Sequence, residues 1–326
     1  MRGRETLAPF CLGAGLGKKF FYGGQAVIGG VMMRGRKSVA VAVRRPNGEV
    51  VVQDEPLASW STGRFREMPF VRGPIVLVET LVLGVRTLLY SASVAFEEEG
   101  EEISPALLWG AVILGIVLAV GLFVAFPLLI VHYIDPYISS VVSNVIDGIL
   151  RLLIFLAYLG VVGLMPDIRR VFQFHGAEHK TINAYEAGES LEVETVRRYS
   201  TAHTRCGTGF ILIVLVIAIV ATAFLGRPAI WLRFLERLAI LPVIAALSYE
   251  IIRFTASNMG NRLVRMAITP SLALQAMTTR QPDDSQLEVA ISALNRVLAV
   301  DAGTAKLAEE AGPVPGVAGG TGGVDQ

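Results

Sequence analysis

Three of the chain's four histidines fall between positions 175 and 203, and their spacing carries the most chemical content in the sequence. They sit in Phe174-His175-Gly176-Ala177-Glu178-His179-Lys180 and in Ala202-His203-Thr204-Arg205-Cys206-Gly207. His175 and His179 are four residues apart, so on a helix both imidazoles leave from one face, with Glu178 alongside. H-x-x-E-H is the inverted zincin spacing, in which two imidazoles hold Zn²⁺ and the intervening glutamate acts as base. His203 and Cys206 add an imidazole and a thiol three residues apart, enough for a third ligand or a four-ligand site.

The expected cofactor is therefore a divalent metal, zinc first, with His175, His179, His203 and Cys206 as ligands and Glu178 as acid/base. The plainer reading makes these residues a solvated helix face near lipid headgroups. The scarcity of histidine elsewhere, and the His203/Cys206 pair in the same segment, favour a metal or catalytic site. A competing chemistry makes Cys206 a nucleophile with His203 or His179 as base. Arg205 and the N-terminus of the apolar helix that follows would then stabilise its thiolate.

What must position these residues follows from composition. Of 326 residues, 53% are apolar and 17% charged, and the mean hydropathy is +0.55. Typical soluble domains are about 45–50% apolar and about 25% charged. Basic and acidic residues number 29 and 28, so no global charge points to nucleic acid. Two cysteines, Cys11 and Cys206, make no disulfide framework. Arg2 and Arg4 precede no apolar h-region, so no signal peptide is expected. Disordered, secreted-scaffold and ordinary soluble-enzyme classes are excluded, and a membrane protein remains.

A span needs about 20 mostly apolar residues. Residues 107–131, 141–165, 208–225 and 238–255 qualify, whereas 74–96 contains Glu79 and Arg86 and reads as an interfacial or re-entrant helix. With four spans, 13 basic residues precede the first, 6 lie between the second and third, and 6 follow from Arg253. The opposite loops hold none and three (Arg227, Arg233, Arg237). The positive-inside rule then puts both termini and the histidine-rich segment 166–207 in the cytosol, in a plasma (inner) membrane protein. Within the spans, Asp147 and Arg151 read as a neutralising i,i+4 pair. Glu250 is either functional or paired with Arg253.

The remaining segments read as cytosolic. Residues 1–21 form an extension, and 22–73 hold a glycine-rich stretch followed by a β-hairpin. Gly23-Gly24-Gln25-Ala26-Val27-Ile28-Gly29-Gly30 suggests sheet turns or a close backbone approach. Pro46-Asn47-Gly48 joins the two hairpin strands of 38–54. Region 256–310 contains an amphipathic helix whose start, with Ser285 and Glu288, fits a capping box. The tail 311–326 cannot bury a core. The expected fold is mainly α: a polytopic helical bundle of four spans with a small α+β cytosolic part.

Long stretches of the chain resemble a bacterial membrane family. They are GGQAVIGGVMMRG (23–35), FHGAEHKTINAYEAGE (174–189), HTRCGTGF (203–210), LPVIAALSYEIIR (241–253) and TTRQPDDSQLEVAI (278–291). The chain is similar over roughly residues 22–300 to the YqhQ-like family of multi-pass proteins, a domain of unknown function labelled a predicted metal-dependent enzyme. The resemblance implies that His175, Glu178, His179, His203 and Cys206 are characteristic polar positions. That family's glycine-rich motif usually carries a glutamate where this chain has Gly29, so the chain either lacks that carboxylate or replaces it with Glu79 or Glu250. Gln25, Arg34 and Arg253 complete the secondary candidates. The function expected is a metal-dependent hydrolase at the cytosolic membrane surface, acting on lipid-like or membrane-tethered substrates. The alternative is a transporter, metal carrier or assembly scaffold using Asp147, Arg151 and Glu250.

Overall fold

The computed structural model describes residues 20–58, 68–95, 104–258 and 260–305. Cys11 and the tail 311–326 lie outside the described residues.

Four strands form an antiparallel meander: β1 Gly23–Val27, β2 Gly30–Arg34, β3 Ser38–Arg44 and β4 Val50–Pro56, in the order β1-β2-β3-β4. The Pro46-Asn47-Gly48 segment makes the turn between β3 and β4, with Gly48 at φ +90°. The turn between β1 and β2 is tighter, Val27 pairing with Gly30, and Gly29 supplies the φ of +67° it requires.

Both faces of the sheet are covered, which is why β2 and β3 read as nearly unbroken apolar runs. Side chains alternate between faces along a strand. Val31, Met33, Ala40 and Ala42 therefore face a core shared with helices α5 (Pro166–Ala187) and α11 (Asp284–Ala302). Met32, Val39, Val41 and Val43 face the other way, where Val94, Leu83 and Tyr90 of helix α1 (Arg72–Ala95) pack.

Helix α11 docks on the sheet through Leu287, Ala290, Ile291, Leu294 and Val297. Its cap differs from expectation. Asp283 accepts the Gln286 N–H at 2.9 Å while the Gln286 side chain accepts the Asp283 N–H at 3.0 Å, so the capping box starts at Asp283. Ser285 hydrogen-bonds to Asp283 instead.

The remaining helices form the apolar part: α2 (Pro105–Val120), α3 (Phe126–Ile134), α4 (Ser140–Val162), the short α6 (Val193–Val196), α7 (Gly207–Ala223), α8 (Ile230–Ala239), α9 (Leu241–Ser257) and α10 (Arg262–Thr278). A π-helical turn, Gly121–Ala125, joins α2 to α3 without a break. Among the described residues, three helical stretches are long and apolar enough to cross a membrane: Arg72–Ala95, Ala106–Tyr137 and Ser140–Val162. This is a membrane protein, mainly helical, with a small antiparallel sheet.

Two expected spans differ in detail. The third is a 17-residue helix, α7, and the fourth is divided at Ile240 between α8 and α9. The segment 74–96 is a continuous helix of spanning length, yet one face of it lies on the sheet. Its N-terminus meets α9 at Gly73, where a Cβ would stand 2.8 Å from the Ala246 backbone.

Candidate metal centre

Helix α5 places His175 and His179 one turn apart, as their spacing predicts, with ring centroids separated by 4.4 Å. The segment after α10 crosses α5 at Gly176, where a Cβ would come within 2.1 Å of the Arg280 carbonyl oxygen. Arg280 donates its N–H to the Phe172 carbonyl at 2.9 Å in the same crossing. Only glycine permits that approach. It brings the Thr278 carbonyl to 2.9 Å from His175 Nδ1. His179 Nδ1 bonds in the same way to the Thr201 carbonyl.

These two bonds define the chemistry. A backbone carbonyl only accepts, so each Nδ1 carries a proton, and in the neutral ring Nε2 is the nitrogen left with a lone pair. Outer-shell acceptors of this kind fix the tautomer and ring orientation of metal-binding histidines. The His175 Nε2 lies 3.2 Å from Cys206 Sγ. One donor atom from each of His175, His179 and Cys206 lies within 4.8 Å of the others. Two nitrogens and a sulfur converging at this spacing match the donor set Zn²⁺ prefers.

Cys206 is the N-cap of α7, and its sulfur accepts the Thr208 N–H at 3.3 Å. The sulfur thus sits at the positive end of the helix dipole, in contact with a backbone N–H. Glu178 is buried, with a carboxylate oxygen 3.5 Å from His179 Nε2. A carboxylate facing an imidazole lone pair is repulsive until a proton or cation lies between them. Gly24 of β1 makes room for it, since a Cβ there would stand 2.9 Å from Glu178 Cγ.

His203 stands one ring further out, its centroid 5.6 Å from that of His179. Its Nε2 is buried, makes no hydrogen bond among the described residues, and lies at ion-pair distance, 3.7 Å, from a Glu186 oxygen. Glu186 in turn pairs with Arg205. The imidazole in contact with Cys206 is thus that of His175, rather than His203 or His179. Sequence reasoning overlooked Gln275 of α10, which is 1% exposed and clamps the His203 backbone at both ends. It accepts the His203 N–H at 3.1 Å and donates to its carbonyl at 2.8 Å. Gln275→Ala is expected to cost about 1–3 kcal/mol, because two buried backbone groups lose their partner. A thermal denaturation midpoint unchanged from wild type would contradict that role.

The secondary candidates lie elsewhere. Arg34 and Glu79 pair with each other at 2.8 Å, joining β2 to α1. Gln25 packs against Gly84 of α1. Glu250 takes Arg72 as partner, at 2.7 Å from Nε, instead of Arg253, and also accepts the Phe70 N–H. Gly29 lies in the turn beyond β1, beside Ala95 and Val43, whereas Gly24, which abuts Glu178, lies near the other end of that strand. A carboxylate at position 29 would therefore sit far from the histidines, and neither Glu79 nor Glu250 replaces one there.

Asp147 bonds Arg151 as expected, at 3.2 Å, but also meets Arg237 at 3.3 Å. A cavity of about 50 Å³ beside Asp147 is lined by Arg151 and Arg237 and not by Glu250. No common path joins the two acidic residues in it.

Residues 68–300 match the family described as protein of unknown function DUF1385. The chain belongs to this family. The uncharacterized protein YqhQ of Bacillus subtilis (strain 168) is 30% identical over 296 residues, which cover 86% of this chain and 93% of that protein. No solved structure matches. Every residue of the histidine cluster lies inside the family region, whereas the four strands precede it.

Proposed function

We propose that this protein is a metal-dependent hydrolase of the plasma membrane with its site at the cytosolic surface. His175, His179 and Cys206 serve as ligands, His203 is held in reserve beside them, and Glu178 moves the proton. The observation that carries this reading is that one donor atom each of His175, His179 and Cys206 lies within 4.8 Å of the others, while backbone carbonyls engage both Nδ1 atoms. When bound, a divalent metal, zinc first, supplies Lewis acidity and brings the pKa of a coordinated water toward neutrality. The Thr278 and Thr201 carbonyls keep both rings in the ligating tautomer, and Glu178 is near enough to His179 to take a proton from the reacting group.

The membrane placement in this reading uses four spans: the α2–α3 stretch, α4, α7 and α9. Helix α1 lies in the interface, with Val78, Leu81, Val82 and Leu88 exposed opposite its sheet-packed face. Both termini are then cytosolic, and Cys206 at the head of α7 sits at membrane depth. Lipid-derived or membrane-tethered substrates suit that depth.

A second reading rests on the 3.2 Å contact between His175 Nε2 and Cys206 Sγ. There the imidazole takes the thiol proton and Cys206 attacks as a nucleophile. Elemental analysis of protein purified without chelators separates the two. Stoichiometric metal, with Cys206 protected from alkylation until chelator is added, is the expected result. Metal-free protein whose Cys206 alkylates readily at neutral pH would replace the first reading with the second.

A further inference from the structure

The end of the bundle opposite the histidine cluster holds an unbalanced set of buried charges. Arg233 and Arg237 of α8, counted from sequence as loop residues, are only 3% and 5% exposed. Arg233 donates to Asp135, Ser143 and Asn144, and Arg237 to Asn144 at 2.7 Å. Arg227 also pairs with Asp135, and Arg151 shares Asp147 with Arg237. Among the described residues, four guanidinium groups thus meet two carboxylates, one positive charge in excess at Asp135 and one at Asp147. Glu236 lies close enough to influence Arg237 but forms no ion pair with it among the described residues.

The surplus has a direction. Arg237 Nε and Nη1 are buried without hydrogen-bond partners among the described residues, and Arg237 lines the cavity of about 50 Å³ between α4, α7, α8 and α9. A water needs about 10–15 Å³, so the space takes a group of several heavy atoms. Asp147 and Thr222 also line it, so two guanidinium groups meet one carboxylate at the cavity, and the rest of the lining is largely apolar, including Leu215, Ile219 and Ile244. Leu241 both lines it and is 46% exposed, so the cavity reaches the apolar outer surface of the bundle. An oxyanion carried on an aliphatic body fits a cationic pocket with apolar walls and a lateral opening.

We propose that this cavity binds the phosphate of an anionic phospholipid, held by Arg237 and Arg151, with the acyl chains leaving past Leu241. Two sources of phosphate, lipid and free ion, are separated by native mass spectrometry and thermal denaturation in detergent. With phosphatidylglycerol and phosphatidylcholine mixed in equal amounts, wild-type adducts are expected to favour phosphatidylglycerol by about tenfold. Arg237→Gln is expected to bring the ratio to parity. Should that variant fail to fold, Ala218→Phe fills the cavity from α7 without touching a charge, and is expected to remove the adduct equally. Equal retention of both lipids by wild type would overturn the proposal. So would a thermal shift from inorganic phosphate unmatched by any from phosphatidylglycerol, or an Ala218→Phe variant that keeps the preference.

Discussion

Replacing His179 by alanine is expected to abolish metal retention and, with it, the stabilisation that metal confers. His179 is 1% exposed, its Nδ1 is held by the Thr201 carbonyl, and one of its ring nitrogens lies within 4.8 Å of donor atoms of His175 and Cys206. Loss of an outer-shell partner alone typically lowers metal affinity about 10–100-fold, so loss of a ligand costs more. A metal present at about a thousand times its dissociation constant stabilises the folded state by about 4 kcal/mol. The wild type should therefore lose thermal stability on chelation and regain it with zinc. His179→Ala should respond to neither. Part of the loss in the variant is unrelated to metal, since the Thr201 carbonyl is left without its donor, at about 1–3 kcal/mol. Comparing each protein with and without chelator cancels that share. Equal zinc content in wild type and His179→Ala would refute the assignment.

The second large effect concerns Arg34, which looked from sequence like a candidate for the site. Glu79 is 3% exposed and pairs with Arg34 at 2.8 and 3.0 Å. Arg34→Met leaves that carboxylate buried opposite a thioether. Breaking a buried pair from one side typically costs about 3–5 kcal/mol, most of it the uncompensated charge. Replacing both partners, as in Arg34→Met with Glu79→Leu, should recover part of the loss because the buried carboxylate is removed together with its guanidinium. Denaturation of the two variants in detergent measures the difference. A single variant as stable as the double would mean that the pair does not hold β2 to α1.

The resemblance of this pair to functional residues illustrates how far one-dimensional reasoning reaches. Glu79 inside an apolar helix is conspicuous in sequence, and a polar residue in such a setting invites a functional role. What the sequence could not say is that β2 folds back onto that helix and brings Arg34 to it, across 45 residues. Glu250 repeats the lesson. Arg253 is the local partner that helical spacing offers, but Arg72 reaches Glu250 across 178 residues. Arg233 and Arg237 were legible as charges and not as buried ones. Burial depended on Asp135, Asn144 and Asp147 arriving from another segment.

Local order, by contrast, was open to reading. The period of apolar residues marked the long helices, Asn47-Gly48 marked a turn, and the i,i+4 spacing put His175 and His179 on one helix face. Each depends on contacts between near neighbours, which backbone geometry fixes without help from the rest of the chain. The convergence of those histidines on Cys206, and the carbonyls that set their tautomers, depended on helix α10 and on the crossing at Gly176. Residues 103 positions apart share that hydrogen bond. The sequence by itself determined the donor types and their local spacing. The tertiary structure alone decided which of them meet, because the distances that ligation requires are set by packing between segments and not by position along the chain.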